Sequence, residues 1–146
     1  MTIRPAAPAD VRAVYALMAV LEGHALPEEA FDRVYAHNLT QPGIRYWVAE
    51  AEGRVAGFIS LHMECQLHHA TLVGEIQELV LHEDCRGQGW GAALLRHACL
   101  AAREAGCSHL ELNTNIRRTR AQAFYQREGW AKEHYNLTYK HWAEEV

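Results

Sequence analysis

The sequence predicts a mixed α/β layer fold, with a mostly antiparallel sheet, flanking helices and a parallel strand pair near its middle. Three observations predict it. The N-terminal part carries apolar residues at helical spacing. The middle alternates as strands do around tight turns. The C-terminal part runs strand, helix, strand, helix. At 146 residues the chain has the size of one domain, 1–146. A chain of that length buries roughly two-thirds of its unfolded surface and needs no staple to fold.

Ile3-Arg4-Pro5 reads as a short first strand. Asp10 is placed to cap the helix that follows, whose Val11, Val14, Tyr15, Met18 and Leu21 form one apolar stripe. A second helix starts near Pro27, where proline is tolerated and Glu28 and Glu29 suit the positive end of the dipole. Its Phe31, Val34 and Tyr35 are expected to face inward. Arg45–Glu50 reads as a strand, Glu52-Gly53-Arg54 as a turn and Val55–Met63 as the partner strand. Thr71–Leu81 is the next strand. Gly89–Ala105 is a helix closed by Gly106. His109–Thr114 is a strand and Thr119–Arg127 a helix ended by Gly129. Trp130–Lys132 and Asn136–His141 read as a closing pair of strands.

Composition narrows the class of function. Hydrophobic residues make 49%, charged residues 22%, and the net charge is -4, so no basic stripe points to nucleic acid. No apolar run reaches the ~20 residues of a membrane span, and the N-terminus has no signal-peptide core. Cys65, Cys85, Cys99 and Cys107 lack metal-knuckle spacing and read as free thiols of a cytoplasmic protein.

Arg86-Gly87-Gln88-Gly89-Trp90-Gly91 lies between a strand and a helix. Glycines there let backbone N–H groups approach a ligand, and unpaired helix-terminal amides make an anion site suited to pyrophosphate. The loop is neither the dinucleotide fingerprint nor a nucleotide P-loop. Arg86-x-x-Gly89-x-Gly91, the preceding Glu78-Leu79-Val80-Leu81-His82, the following Ala92-Ala93-Leu94-Leu95 and the later Ala121-x-x-Phe124-Tyr125-x-x-x-Gly129-Trp130 together resemble the GNAT (Gcn5-related N-acetyltransferase) superfamily.

That resemblance implies acetyl-CoA as co-substrate. It gives the pyrophosphate to the amides of Arg86, Gly87, Gln88, Gly89, Trp90 and Gly91, and the pantetheine arm to the backbone of Leu79, Val80 and Leu81. Ala121 belongs to the same binding surface. The amide of Val80 or of Leu79 would polarise the thioester carbonyl. Tyr125 would act as the acid near the sulfur. Many relatives carry asparagine six residues before the Phe124 position; Arg118 stands there, and Asn115 is the substitute.

Acetyl transfer needs a neutral amine, so a base must take the ammonium proton. Glu75 and Glu78 are the candidates. Residues three apart on a regular strand face opposite ways, so both reach one cleft only across a bulge. Tyr125 has an ordinary pKa of about 10 and can protonate a thiolate.

Further stretches resemble one bacterial subfamily, the aminoalkylphosphonate N-acetyltransferases: Gly43-Ile44-Arg45-Tyr46, Leu61-His62, Leu67-His68-His69, Gly74-Glu75-Ile76-Gln77-Glu78 and Thr114-Asn115. The resemblance implies a small primary amine bearing a phosphonate, and a divalent metal. Arg45, His68, His69 and Arg117 are the substrate-binding candidates, with Arg118 and Arg120 as further cations. His62, His68, His69 and Glu75 are the metal candidates. Alternatives are another acceptor amine (amino acid, polyamine, aminoglycoside or protein) and a non-catalytic acetyl-CoA-binding module. The final strands are the expected basis of a homodimer.

Overall fold

The computed structural model describes residues 1–140. Two compact units divide the chain, the first spanning Met1–Leu112 and the second beginning at Asn113.

The first unit is a five-stranded sheet in the order β1-β2-β3-β4-β5, formed by Thr2–Pro5, Ile44–Ala51, Arg54–Gln66, Thr71–Leu81 and Leu110–Leu112. The first four strands are antiparallel neighbours and β5 runs parallel to β4. The β2–β3 turn places Glu52 and Gly53 at φ 53° and 73°. Left-handed residues at both turn positions match the right-handed twist of the flanking strands.

Helices α1 (Val11–Glu22) and α2 (Glu28–Leu39) cover one sheet face, and α3 (Trp90–Glu104) packs on β3 and β4. Val14, Leu17 and Met18 of α1 and Tyr35 of α2 are buried with Val48, Phe58 and Val80. Leu94, Leu95, Ala98 and Ala102 form the buried stripe of α3. Burying each large apolar side chain contributes roughly 1.5–3 kcal/mol. The helical spacing identifies the faces, with one correction. Val34 is 58% exposed, because Phe31 and Tyr35 take the inward direction and Val34 falls off the stripe.

Asp10 also departs from expectation. It makes no side-chain cap to α1. Its carboxylate instead accepts from the Ala7 N–H at 2.7 Å and from both Arg4 terminal nitrogens at 2.8 and 2.9 Å. It thereby ties β1 to the start of α1. Arg4 holds the Asp10 carboxyl below its usual range, against the opposing effect of burial. The linked stability is present above the unfolded carboxylate pKa of about 3.9 and is lost as pH falls through the lower native value. Asp10→Ala leaves the Ala7 donor unmatched and removes one of the two carboxylates bound to Arg4. We expect a loss of about 1–3 kcal/mol in urea unfolding at neutral pH, shrinking toward zero in acid.

The second unit holds α4 (Thr119–Arg127), with Gly129 at φ 95° after it. Among the described residues the closing strands do not form. Trp130–Lys132 and residues 136–140 are irregular, and His141 lies outside the described residues. Tyr135, Leu137 and Tyr139 alternate as a strand would but are exposed. Alternation specifies a strand only where a sheet edge receives it.

Candidate functional site

The loop between β4 and α3 is built as its glycines require. Gly87 and Gly89 adopt φ 76° and 85°, a region costly for other residues, and Gly89 is the N-cap of α3. As a glycine, this N-cap has no side chain with which to cap the first-turn amides. A Cβ added to Gly87 or Gly89 would meet no heavy atom within 4 Å, so the glycines face an open cradle. Open amides at a helix N-terminus are suited to an anion, and Arg86 is exposed at the loop's start. Gln88 is tied to Asp84 O and Trp90 Nε1 at 3.4 and 3.3 Å, which fixes the outer curve of the loop.

The strand leading into this loop is splayed. β5 pairs with β4 only through Gly74↔Leu110, Glu75↔Glu111 and Ile76↔Leu112, whereas β4 continues to Leu81. Its last residues stay on β3 through Ile59↔Leu79, Phe58↔Val80 and Gly57↔Leu81. His82 N–H donates to Ala56 O at 2.7 Å. Backbone direction alternates along an antiparallel ladder, so Val80 also faces β3, while Leu79 and Leu81 direct their N–H and C=O to the open edge. Of the two amides considered for the carbonyl, that of Leu79 is the one so directed.

The bulge that the two glutamates require is present. Between Ile59↔Leu79 and Leu61↔Ile76, β3 advances two residues and β4 three. Ser60 therefore opposes both Gln77 and Glu78. Its Oγ accepts from Glu78 N–H at 2.9 Å and donates to Glu78 Oε1 at 2.5 Å. Ser60 is fully buried, and nothing in its sequence neighbourhood marked it.

Despite the bulge, Glu75 and Glu78 border two different cavities rather than one cleft. Glu78 borders a cavity of 360 Å³ with Phe31, Tyr35, Asn38, Tyr46 and Phe58. Asn38 Nδ2 donates to Tyr46 Oη at 2.7 Å across it. Glu75 borders a more polar cavity of 430 Å³ with His37, Gln41, His62 and Glu64. Gln77 borders both. Burial pushes the Glu75 carboxyl above its ordinary value, with His62 opposing. Burial pushes Glu78 up as well, against the Ser60 hydrogen bond. His62, paired across the ladder with Glu75, is pushed down by burial, and its buried Nε2 has no hydrogen-bond partner among the described residues.

Several expected contacts are corrected. Arg45 lies on the opposite sheet face from Tyr46 and His62: it is paired with Leu61 and acts electrostatically on the Cys107 thiol. It cannot share the cleft of Glu75. His68 and His69 sit in the β3–β4 turn, with ring centroids 4.1 Å apart. The four metal candidates do not converge. Among the described residues the cluster able to hold an ion is His69, His109 and Glu111, whose ligand atoms lie within 4.8 Å of one another. His62, His68 and Glu75 lie outside it. The donor set suits a divalent transition metal. His109-x-Glu111 was readable, since alternate residues of a strand share a face.

In the second unit, Asn115 Oδ1 accepts from Arg117 N–H at 2.9 Å, closing a turn before α4. Arg117, Arg118 and Arg120 are exposed. Ala121 lies one turn before Tyr125 on α4. Tyr125 packs against Phe124 and Trp130, with centroids 5.2 and 6.1 Å away. Burial pushes its phenol above the ordinary value, with Arg118 opposing, so it stays protonated at neutral pH.

The family model described as "Acetyltransferase (GNAT) family" matches residues 11–130. The chain is 45% identical over 136 residues to the aminoalkylphosphonate N-acetyltransferase of Salmonella typhimurium, covering 93% of this chain and 88% of that one. It is 28% identical over 109 residues to the IAA acetyltransferase of Azospirillum brasilense, covering 75% and 69%. A putative acetyltransferase from Agrobacterium tumefaciens superposes with a TM-score of 0.86 at 27% identity, covering 96% and 99%. No helix among the described residues is long and apolar enough to cross a membrane.

Proposed function

The chain belongs to the acetyltransferase (GNAT) family, and we propose that it acetylates the primary amine of a small aminoalkylphosphonate. It is an N-acetyltransferase, and enzymes of this family use acetyl-CoA as co-substrate. The likeness to the Salmonella enzyme, over nearly the whole of both chains, is the observation that carries the acceptor. We read residues 1–146 as one catalytic domain, because the matched region runs across both compact units.

In this reading the amides from Arg86 to Gly91 take the pyrophosphate, and the open edge of β4 from Leu79 to Leu81 pairs with the pantetheine arm. Leu79 N–H donates to the thioester carbonyl and stabilises the developing oxyanion. Asn115 and Ala121 contact the co-substrate, and Arg117 offers charge to the phosphonate. Glu75 takes the ammonium proton by way of water in its polar cavity, with His62 beside it. The freed amine attacks the carbonyl carbon, so that a C–N bond forms and the C–S bond breaks. Tyr125 gives its proton to the leaving sulfur, and the second proton lost by the attacking nitrogen restores the phenol by way of water. Glu78, locked to Ser60, sets the bulge and borders the space for the acceptor's carbon chain. The free thiols fit a cytoplasmic enzyme. A divalent cation belongs to the same reading, and no nucleic-acid partner does.

Release of free CoA, followed across a panel of amines with and without chelator, tests this. Turnover is expected with 2-aminoethylphosphonate and 1-aminoalkylphosphonates, and it should fall on chelation. Turnover confined to polyamines, amino acids, aminoglycosides or a protein amine would reject the acceptor. Acetyl-CoA binding with no acceptor-dependent release would reject catalysis.

The sign of the Glu78 shift gives a further expectation. A carboxyl raised in the native state favours folding most below its unfolded pKa, and that contribution is lost as pH rises through the native value. Glu78→Gln should therefore unfold at neutral pH with a Tm equal to or above that of the parent, while KM for the amine rises. A clear drop in Tm would contradict the assigned burial cost.

A further inference from the structure

We propose that His69, His109 and Glu111 form a binding site for one divalent transition-metal ion, and that the ion's open positions take the oxyanion end of the acceptor; the second half rests on the reading above. His109 Nε2 lies 3.1 Å from Glu111 Oε1, and His69 Nε2 lies 3.6 Å from the same oxygen. The two imidazoles meet edge to face, with centroids 4.6 Å apart. Metal–ligand bonds of about 2.0–2.2 Å bring donor atoms to roughly 3–3.5 Å from each other, so only small rotations close this set. Two imidazoles and one carboxylate leave coordination positions free.

The backbone holds the three residues in place. His69 sits in a turn closed by its own N–H to Gln66 O at 3.2 Å. The start of β5 is tied to β4 by Ser108 N–H to Leu72 O at 3.0 Å and by Gly74 N–H to His109 O at 3.2 Å. Ser108 Oγ lies 3.0 Å from His109 Nδ1, where it can fix the tautomer that presents Nε2 to a metal.

The charge balance of this sheet face favours the second half. Glu111 is the ladder partner of Glu75, and the two repel electrostatically. β4 and β5 contain no Lys or Arg, and β3 has none after Arg54. Arg45 stands on the other face. A bound dication is thus the positive charge that these strands could offer a phosphonate.

Chelator-treated full-length protein titrated with Co²⁺, read by its visible ligand-field absorption, tests the site. One equivalent should bind. His109→Ala and Glu111→Gln should each weaken binding by at least about tenfold, the lower end of what even outer-shell changes cost. His24→Ala, at an exposed remote position, should not. Far-UV circular dichroism and metal-free Tm are expected to match across the variants, and isosteric Glu111→Gln guards against a folding artefact. Methylphosphonate added to the Co²⁺ form should change the absorption. Absence of Co²⁺ binding by the parent, or equal binding by the variants, would overturn the site. Binding with no response to methylphosphonate would overturn the oxyanion role. Neither result depends on acetyl transfer, whose failure would appear in CoA release instead.

Discussion

Glu75→Gln should lower kcat for amine acetylation by about 10²–10⁴-fold, the usual contribution of a positioned general base. Glutamine keeps the size and one hydrogen-bonding oxygen but cannot take a proton. KM for acetyl-CoA should change little, because the donor loop lies at the other end of β4. The pH profile sharpens the expectation. Burial raises the Glu75 carboxyl above its ordinary value. The parent's kcat/KM should therefore rise with pH through an apparent pKa above the usual carboxylate range, and the variant should lose that limb. A profile unchanged by the substitution would move the base elsewhere, with Glu78 the next candidate.

Gly89→Asp is the second large effect expected. Asparagine and aspartate both tolerate the left-handed backbone that Gly89 adopts at φ 85°. Both place a side chain in the open cradle and both can cap the first-turn amides. Only aspartate adds a negative charge where the pyrophosphate is expected. Two like charges about 4 Å apart repel by roughly 4 kcal/mol at an effective dielectric of 20. Gly89→Asn should thus raise the Kd for acetyl-CoA modestly, while Gly89→Asp raises it by about 10²–10³-fold, and added salt should narrow the gap. Calorimetric titration with acetyl-CoA measures both. Equal affinities for the two variants would mean that no phosphate lies against this loop.

Much of the local structure around the candidate site was legible because its signals are local. Thr71–Leu81 and Thr119–Arg127 have the predicted bounds, set by strand alternation and by helix periodicity ending at Gly129. The positive φ of Gly87 and Gly89 follows from residues that alone adopt it cheaply. The bulge was required by the spacing of Glu75 and Glu78, yet Ser60, which completes it, sits on another strand. Facing was less readable. Tyr46 and Trp47 are both large and apolar, so alternation could not say which sheet face Arg45 joins, and pairing with Leu61 decided it. The histidines show the same limit. His69 meets His109 and Glu111 only after a turn and a crossover bring distant segments together. Tyr135, Leu137 and Tyr139 carry a strand pattern, but no ladder forms on them among the described residues.

Acetyl transfer from acetyl-CoA to the amine of an aminoalkylphosphonate can be followed atom by atom. Its most direct test supplies acetyl-CoA labelled in the acetyl group together with 2-aminoethylphosphonate, and follows the label by NMR. One equivalent of labelled amide carbonyl is expected per CoA released, with the labelled acetyl group on the phosphonate's nitrogen. Label appearing as free acetate, or on the protein alone, would contradict it.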